Sequence, residues 1–139
     1  MADWVRYNVN PLGRRTGDCV YRALSVFLDI SWRQAVNDLV SWAADRGLTN
    51  FNYRSTYNEF LKEKGYIRHR APEKDITVEQ FIDRFAEKDK TYILSCPRHL
   101  TIVHSDDADC IPYLVDTWDC RNRIVDGYWI RNNIKQQKL

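Results

Sequence analysis

The order of patterns along this 139-residue chain predicts an α+β fold. Two observations carry that expectation. Through residue 85, apolar residues recur at helical spacing behind repeated helix-start signals, Ser31-Trp-Arg-Gln34, Thr56-Tyr-Asn-Glu59 and Thr77-Val-Glu-Gln80. After Lys90 the pattern changes to short β-branched and aromatic runs separated by turn residues. Helices followed by a cluster of strands is the α+β order. Hydrophobic residues make up 44% and aromatics 13%, enough for a packed core. With no repeat or linker in sight, the whole of residues 1–139 is expected to form one domain, its basic end (131–139) a frayed tail.

The elements follow in order. "WVRYNVN" alternates Val5, Tyr7 and Val9 as a short strand, and "NPLGRRTG" is a turn-rich loop. From Cys19 to Ile30 two apolar stripes lie side by side, Val20, Ala23, Leu24, Phe27 and Leu28, then Cys19, Ala23, Val26 and Ile30. A helix apolar over so much of its circumference is buried on several sides, so this one is central. Ser31 opens a second helix that Gly47 closes, Thr56 opens a third ending near Gly65, and Thr77 opens a fourth with Val78, Phe81, Ile82 and Phe85 on one face. "TYILSC", "LTIVH", "IPYLVD" and "RIVDGYWI" read as antiparallel strands against which the central helix packs.

Charge and composition exclude some functions. A net charge of +2 does not suit a dedicated nucleic-acid binder, and no apolar run approaches the ~20 residues of a membrane span. The start "MADWVRYNVN" has no signal-peptide apolar region, so the protein is expected in the cytoplasm of the cell that makes it. In that compartment Cys19, Cys96, Cys110 and Cys120 are free thiols, catalytic groups or metal ligands rather than a disulfide framework.

Cys19 stands where the central helix starts. Unsatisfied backbone N–H groups and the positive end of the helix dipole favour a thiolate there. Asp18 opposes this unless its carboxylate turns away. A buried structural cysteine is the plain alternative, so a base and an orienting group are needed to tell the two apart. The strands offer them. If "HLTIVH" and "IPYLVD" form a hairpin across "SDDADC" with His104 facing residue 111, then His99 lies opposite Asp116, with Cβ atoms roughly 5 Å apart. His104 points to the other face and sits about 17 Å along the strand, while His69 in "YIRHRA" reads as solvated surface.

A cysteine opening a buried helix, then His, then Asp on a neighbouring strand resembles the papain-like cysteine peptidases. "GDCVYRAL", "HLTIV", "DTWD" and "GYW" are similar to its compact members, such as bacteriocin leader-processing peptidases, and to short proteins of phages and Gram-positive bacteria. The resemblance spans roughly residues 8 to 130. It implies a papain-like fold, a Cys19–His99–Asp116 triad working through a thioester, and no cofactor. The partner it implies is a protein or peptide substrate, with neither nucleic acid nor membrane, in the host cytoplasm if phage-encoded. It also implies that the Cys19 backbone N–H forms half of an oxyanion hole. Family members carry Gln six residues before the nucleophile. Here that position is Gly13, so Asn10 or Asn8 is the expected second donor, against the plainer role of loop caps. Trp118 is expected to shield the His–acid bond and Asp18 to flank the nucleophile, whereas Trp129 is expected to be packing.

Other classes remain open at this point. Cys96, His99, Cys110 and Cys120 can be written as a zinc set, although Cys110 and Cys120 are poorly spaced for one. A non-catalytic interaction protein keeping the papain-like fold, with "IRNNIKQQKL" meeting acidic partners, is another reading. A cell-wall endopeptidase of similar fold is a third.

Overall fold

The computed structural model describes residues 1–14 and 16–133. It is α+β: helices α1 (Cys19–Leu28), α2 (Trp32–Asp45), α3 (Arg54–Glu63) and α4 (Val78–Arg84) surround one six-stranded sheet. The strands are β1 (Trp4–Arg6), β2 (His69–Arg70), β3 (Lys90–Cys96), β4 (His99–His104), β5 (Tyr113–Asp116) and β6 (Gly127–Asn132), in the order β1-β5-β4-β3-β6-β2. The sheet is mixed rather than purely antiparallel, because β1 joins β5 in parallel. Only the four central strands come from the chain's C-terminal half. β1 and the two-residue β2 close the edges.

Strand alternation divides the core into two layers. Ile93, Leu100, Ile102 and Trp129 face Val20, Leu24 and Phe27 of α1, Leu39 of α2 and Leu61 of α3. Tyr92, Leu94, Val103 and Leu114 face Val78, Phe81 and Ile82 of α4. A sheet covered on both faces reads as near-continuous apolar runs, which is why "TYILSC" carries no polar alternation. Helix α1 packs on β3 and β4 beneath and on α2 beside it, so even Ser25 on its polar face is buried.

The boundaries differ from the sequence expectations for local reasons. Helix α1 stops at Leu28, not Ile30, since Asp29 takes a left-handed φ of 55° and the Ile30 N–H returns to Ser25 O. Ser31 caps α2 as expected, but Gln34 bonds Asp38 instead of completing the box. Gly47, at φ +71°, closes α2, with Leu48 N–H on Ala43 O and Gly47 N–H on Ala44 O, the paired bonds of a Schellman end. Thr56 does not open α3. That helix starts at Arg54 after Tyr53, and the buried Thr56 hydroxyl donates to Asn50 O at 2.7 Å. Thr77 and Gln80 do form the full capping box of α4, but the helix ends before Phe85, which is 37% exposed. In "RIVDGYWI" the strand begins only at Gly127, because Val125 bonds Ile76 and Ile124 bridges Thr77. The expected tail is also shortened from within. Arg131 and Asn132 belong to β6, with Arg131 buried against the Phe27 carbonyl, and residues 134–139 lie outside the described residues.

Candidate active site

Cys19 is the first residue of α1, so its backbone N–H is among the first-turn amides that a helix leaves without an intrahelical acceptor. Asp18 holds the N-cap position but does not cap. Its carboxylate, buried in the interior, accepts from Trp32 Nε1 at 2.9 Å and Asn10 Nδ2 at 3.3 Å and pairs with the Arg22 guanidinium one turn along. The acid beside Cys19 is thus turned away and neutralised, leaving the helix end free to favour a thiolate.

Asn10 and Asn8 are not arranged as the expected oxyanion donors. The Asn10 amide donates to Asp18 and its carbonyl takes the Leu12 N–H, while Asn8 bonds Asn10 N–H and Arg14 O. They cap a loop, and neither lines the clefts at Cys19. Polar loop side chains beside a Pro meet their nearest backbone groups first.

His99 and Asp116 do meet, at 2.7 Å between Nε2 and Oδ2, but the hairpin register is not the expected one. His104 pairs with Tyr113 and Ile102 with Val115, a shift of two residues. A two-residue slip keeps every side chain on its face, so the pair survives as diagonal rather than direct neighbours. The shift arises because β5 starts after Pro112, and Ser105 Oγ gathers the longer loop by bonding to the carbonyls of Asp107 and Cys110. Strand β1 fixes the acid from the other side: Arg6 is in register with Asp116, and Tyr7 N–H donates to Asp116 O at 3.0 Å. His99 thus engages Asp116 through Nε2 and also interacts with the Cys19 side chain.

The charges at the site form one buried chain. Arg22 bridges Asp18 and Asp116, its Nη2 lying 3.6 Å from Asp116 Oδ1, and Asp116 in turn holds His99. Asp116 also accepts the Thr117 N–H at 2.6 Å and the Cys120 thiol at 3.5 Å. Burial alone pushes the Asp116 carboxyl up, but the hydrogen bond and charge of His99, with Thr101 and the Thr117 N–H, hold it below the ordinary range. Burial likewise opposes ionisation of Cys19. The hydrogen bonds from His99 and the Leu100 N–H, with the charges of His99 and Arg22, nevertheless lower its pKa. His99 resists burial too and is raised well above an ordinary imidazole by Asp116, Cys120 and Cys19. A thiol shifted down beside an imidazole shifted up is the arrangement that favours passing the sulfur's proton to the ring.

Trp118 sits over His99 with ring centroids 4.9 Å apart. The histidines left aside by the sequence lie elsewhere. His104 bonds Thr91 and Asp106 at the other end of β4, and exposed His69 stacks on Tyr128. Trp129 is fully buried beside Tyr57. Cys96, His99, Cys110 and Cys120 are not gathered as a zinc set. Among the described residues the candidate ligand group is His99, Asp116 and Cys120. The His99–Asp116 contact of 2.7 Å is a hydrogen bond and is shorter than the ~3.3 Å between two ligand atoms on a tetrahedral zinc. Arg22 and Cys120 are the residues at the site that sequence reasoning missed. Arg22 was legible as an i+4 partner of Asp18, whereas Cys120 was visible only as a candidate metal ligand.

Two clefts meet at the thiol. One, of about 560 Å³, lies between the Thr16–Gly17 approach to α1 and Trp118; the other, of about 950 Å³, runs between the start of α3 and the β3–β4 turn. Cys19, Arg98 and His99 line both. The chain matches no protein-family model, and no curated protein or solved structure is significantly similar to it. Among the described residues, no helix is long and apolar enough to cross a membrane.

Proposed function

We propose that this protein is a papain-like cysteine hydrolase that cleaves a peptide or isopeptide bond, with Cys19 as nucleophile, His99 as proton carrier and Asp116 as the group that orients His99. The observation that carries the reading is the joining of all three on separate elements, Cys19 on α1, His99 on β4 and Asp116 on β5, with the His99–Asp116 bond at 2.7 Å and opposite shifts on thiol and imidazole. A structural cysteine requires no such arrangement. The two clefts leave room for substrate on either side of the thiol.

In this chemistry the Cys19 thiolate attacks the carbonyl carbon, and the oxyanion forms within reach of the first-turn amides of α1. Collapse breaks the C–N bond as His99 gives its proton to the leaving amine, which leaves a thioester. Water then attacks the thioester while His99 takes a proton from it. The acid product departs and the thiolate–imidazolium pair is restored. Asp116 keeps its charge throughout and holds the ring by Nε2, while Trp118 keeps water from that bond.

The test is the pH dependence of iodoacetamide alkylation, followed residue by residue by peptide mass spectrometry in wild type and His99→Ala. Cys19 should react well below pH 7, and His99→Ala should remove that acid limb. Cys96, pushed up to about 12 chiefly by burial, and the fully buried Cys120 should stay unmodified in the folded protein. Cys19 titrating as an ordinary thiol near ~8.5 in both proteins would sink the reading and favour a binding protein that keeps the fold.

A further inference from the structure

The walls of the two clefts are unequally charged, and this bears on what the site accepts. Arg22 is spent on Asp18 and Asp116. Asp119 is spent on Arg121, and Asp126 is shared by Arg54 and Arg68. Arg6 and Arg98 are left over: among the described residues neither guanidinium has a hydrogen-bond or ion-pair partner, and both are exposed at the clefts. Arg98 lines both clefts and immediately precedes His99.

The backbone at Arg98 adds an independent observation. The β3–β4 turn is only Pro97 and Arg98, since Cys96 pairs with His99, and Arg98 occupies its second corner at φ +60°. That corner of a Pro-led turn favours glycine, and a long side chain there costs roughly 1 kcal/mol or more. An unpaired arginine kept in a strained position beside the candidate proton carrier is the pattern of a residue retained for binding.

We propose that the site selects peptides bearing an aspartate or glutamate beside the scissile bond, with Arg98, and Arg6 on the Trp118 side, pairing with that carboxylate. This inference rests on the cysteine-hydrolase reading and adds the substrate class. A guanidinium suits the role because its planar fork meets a carboxylate with two parallel hydrogen bonds.

The experiment compares Cys19 alkylation by anionic iodoacetate with that by neutral iodoacetamide, in wild type, Arg98→Gln, Arg6→Gln, the double variant and Arg33→Gln, which lies outside both clefts. The iodoacetate-to-iodoacetamide rate ratio should fall about three- to tenfold in the double variant, less in each single one, and not in Arg33→Gln; the differences should shrink in 1 M salt. A proteome-derived peptide library, with cleavage sites read by mass spectrometry, should show Asp or Glu enriched next to the cut in wild type and not in Arg98→Gln. Cleavage without acidic enrichment, or a ratio unmoved by the double substitution, overturns the selectivity and leaves the hydrolase reading standing. A Cys19 that resists both reagents in every protein sinks the hydrolase reading, and the selectivity falls with it.

Discussion

Replacing Arg22 by Met tests the buried charge chain directly. Methionine fills much of the same volume without charge, so the perturbation is mainly electrostatic. The Arg22 side chain is 13% exposed, and its two carboxylate partners are 4% and 3% exposed, so solvent offers little compensation. Removing one partner of such a pair costs about 3–5 kcal/mol. Asp18 keeps Trp32 and Asn10, and Asp116 keeps His99 and Thr117, which places the cost near the lower end, about 3 kcal/mol. An unfolding entropy of ~2.1 cal/mol/K per residue converts that into a Tm about 10 °C lower for a chain of this length.

The sign with pH follows from Asp116. Its folded-state pKa lies below the ordinary ~3.9, so it contributes stability that is present above that value and lost as pH falls through the folded one. Arg22 lies 3.6 Å from that carboxylate and interacts with its ionised form, so the variant without it has less to lose in acid. The Tm gap between wild type and Arg22→Met should therefore narrow as pH falls below the ordinary ~3.9 toward the lower folded-state value. Urea and thermal unfolding at pH 7 and about pH 2.5 measure both quantities. A penalty below about 1 kcal/mol at pH 7, or one of equal size at both pH values, would refute the coupling. The same variant should also move the alkylation midpoint of Cys19 upward, because the Arg22 charge is one of the influences lowering it.

Three further outcomes follow. Trp118→Ala uncovers the His99–Asp116 bond, so the acid limb of Cys19 alkylation should shift toward higher pH while Tm falls by only a few degrees, since Trp118 is already 38% exposed. Arg98→Gly relieves the left-handed corner and should stabilise the fold by about 0.5–1 kcal/mol in urea unfolding, even as it removes the proposed carboxylate partner. Leu24→Ala, at a fully buried position where α1 meets the sheet, should cost about 2–5 kcal/mol and broaden the pH response of Cys19 as the helix loosens, checked by urea unfolding alongside alkylation.

The sequence by itself determined the local features of this protein. The central helix beginning at Cys19 was legible from its apolar stripes, the α4 start from Thr77 and Gln80, the end of α2 from Gly47, and the central strands from their β-branched runs, because each signal lies within a few consecutive residues. His99 could be preferred to His104 from parity and position along the strand, and that choice tolerated a register wrong by two residues because the side-chain period of a strand is two. Only the tertiary structure decided what depends on distant segments. The parallel pairing of Arg6 with Asp116, the two-residue β2, the Thr56 hydroxyl turned back to Asn50 and the buried bridge from Asp18 through Arg22 to Asp116 have no compact sequence signature. Asp18 is the clearest case. In the sequence it is a carboxylate beside a thiol, a group that should weaken the thiolate. In the fold, Trp32, Asn10 and Arg22 draw its charge away from the sulfur, and contacts made across the packed core reverse the meaning of a neighbour in the chain.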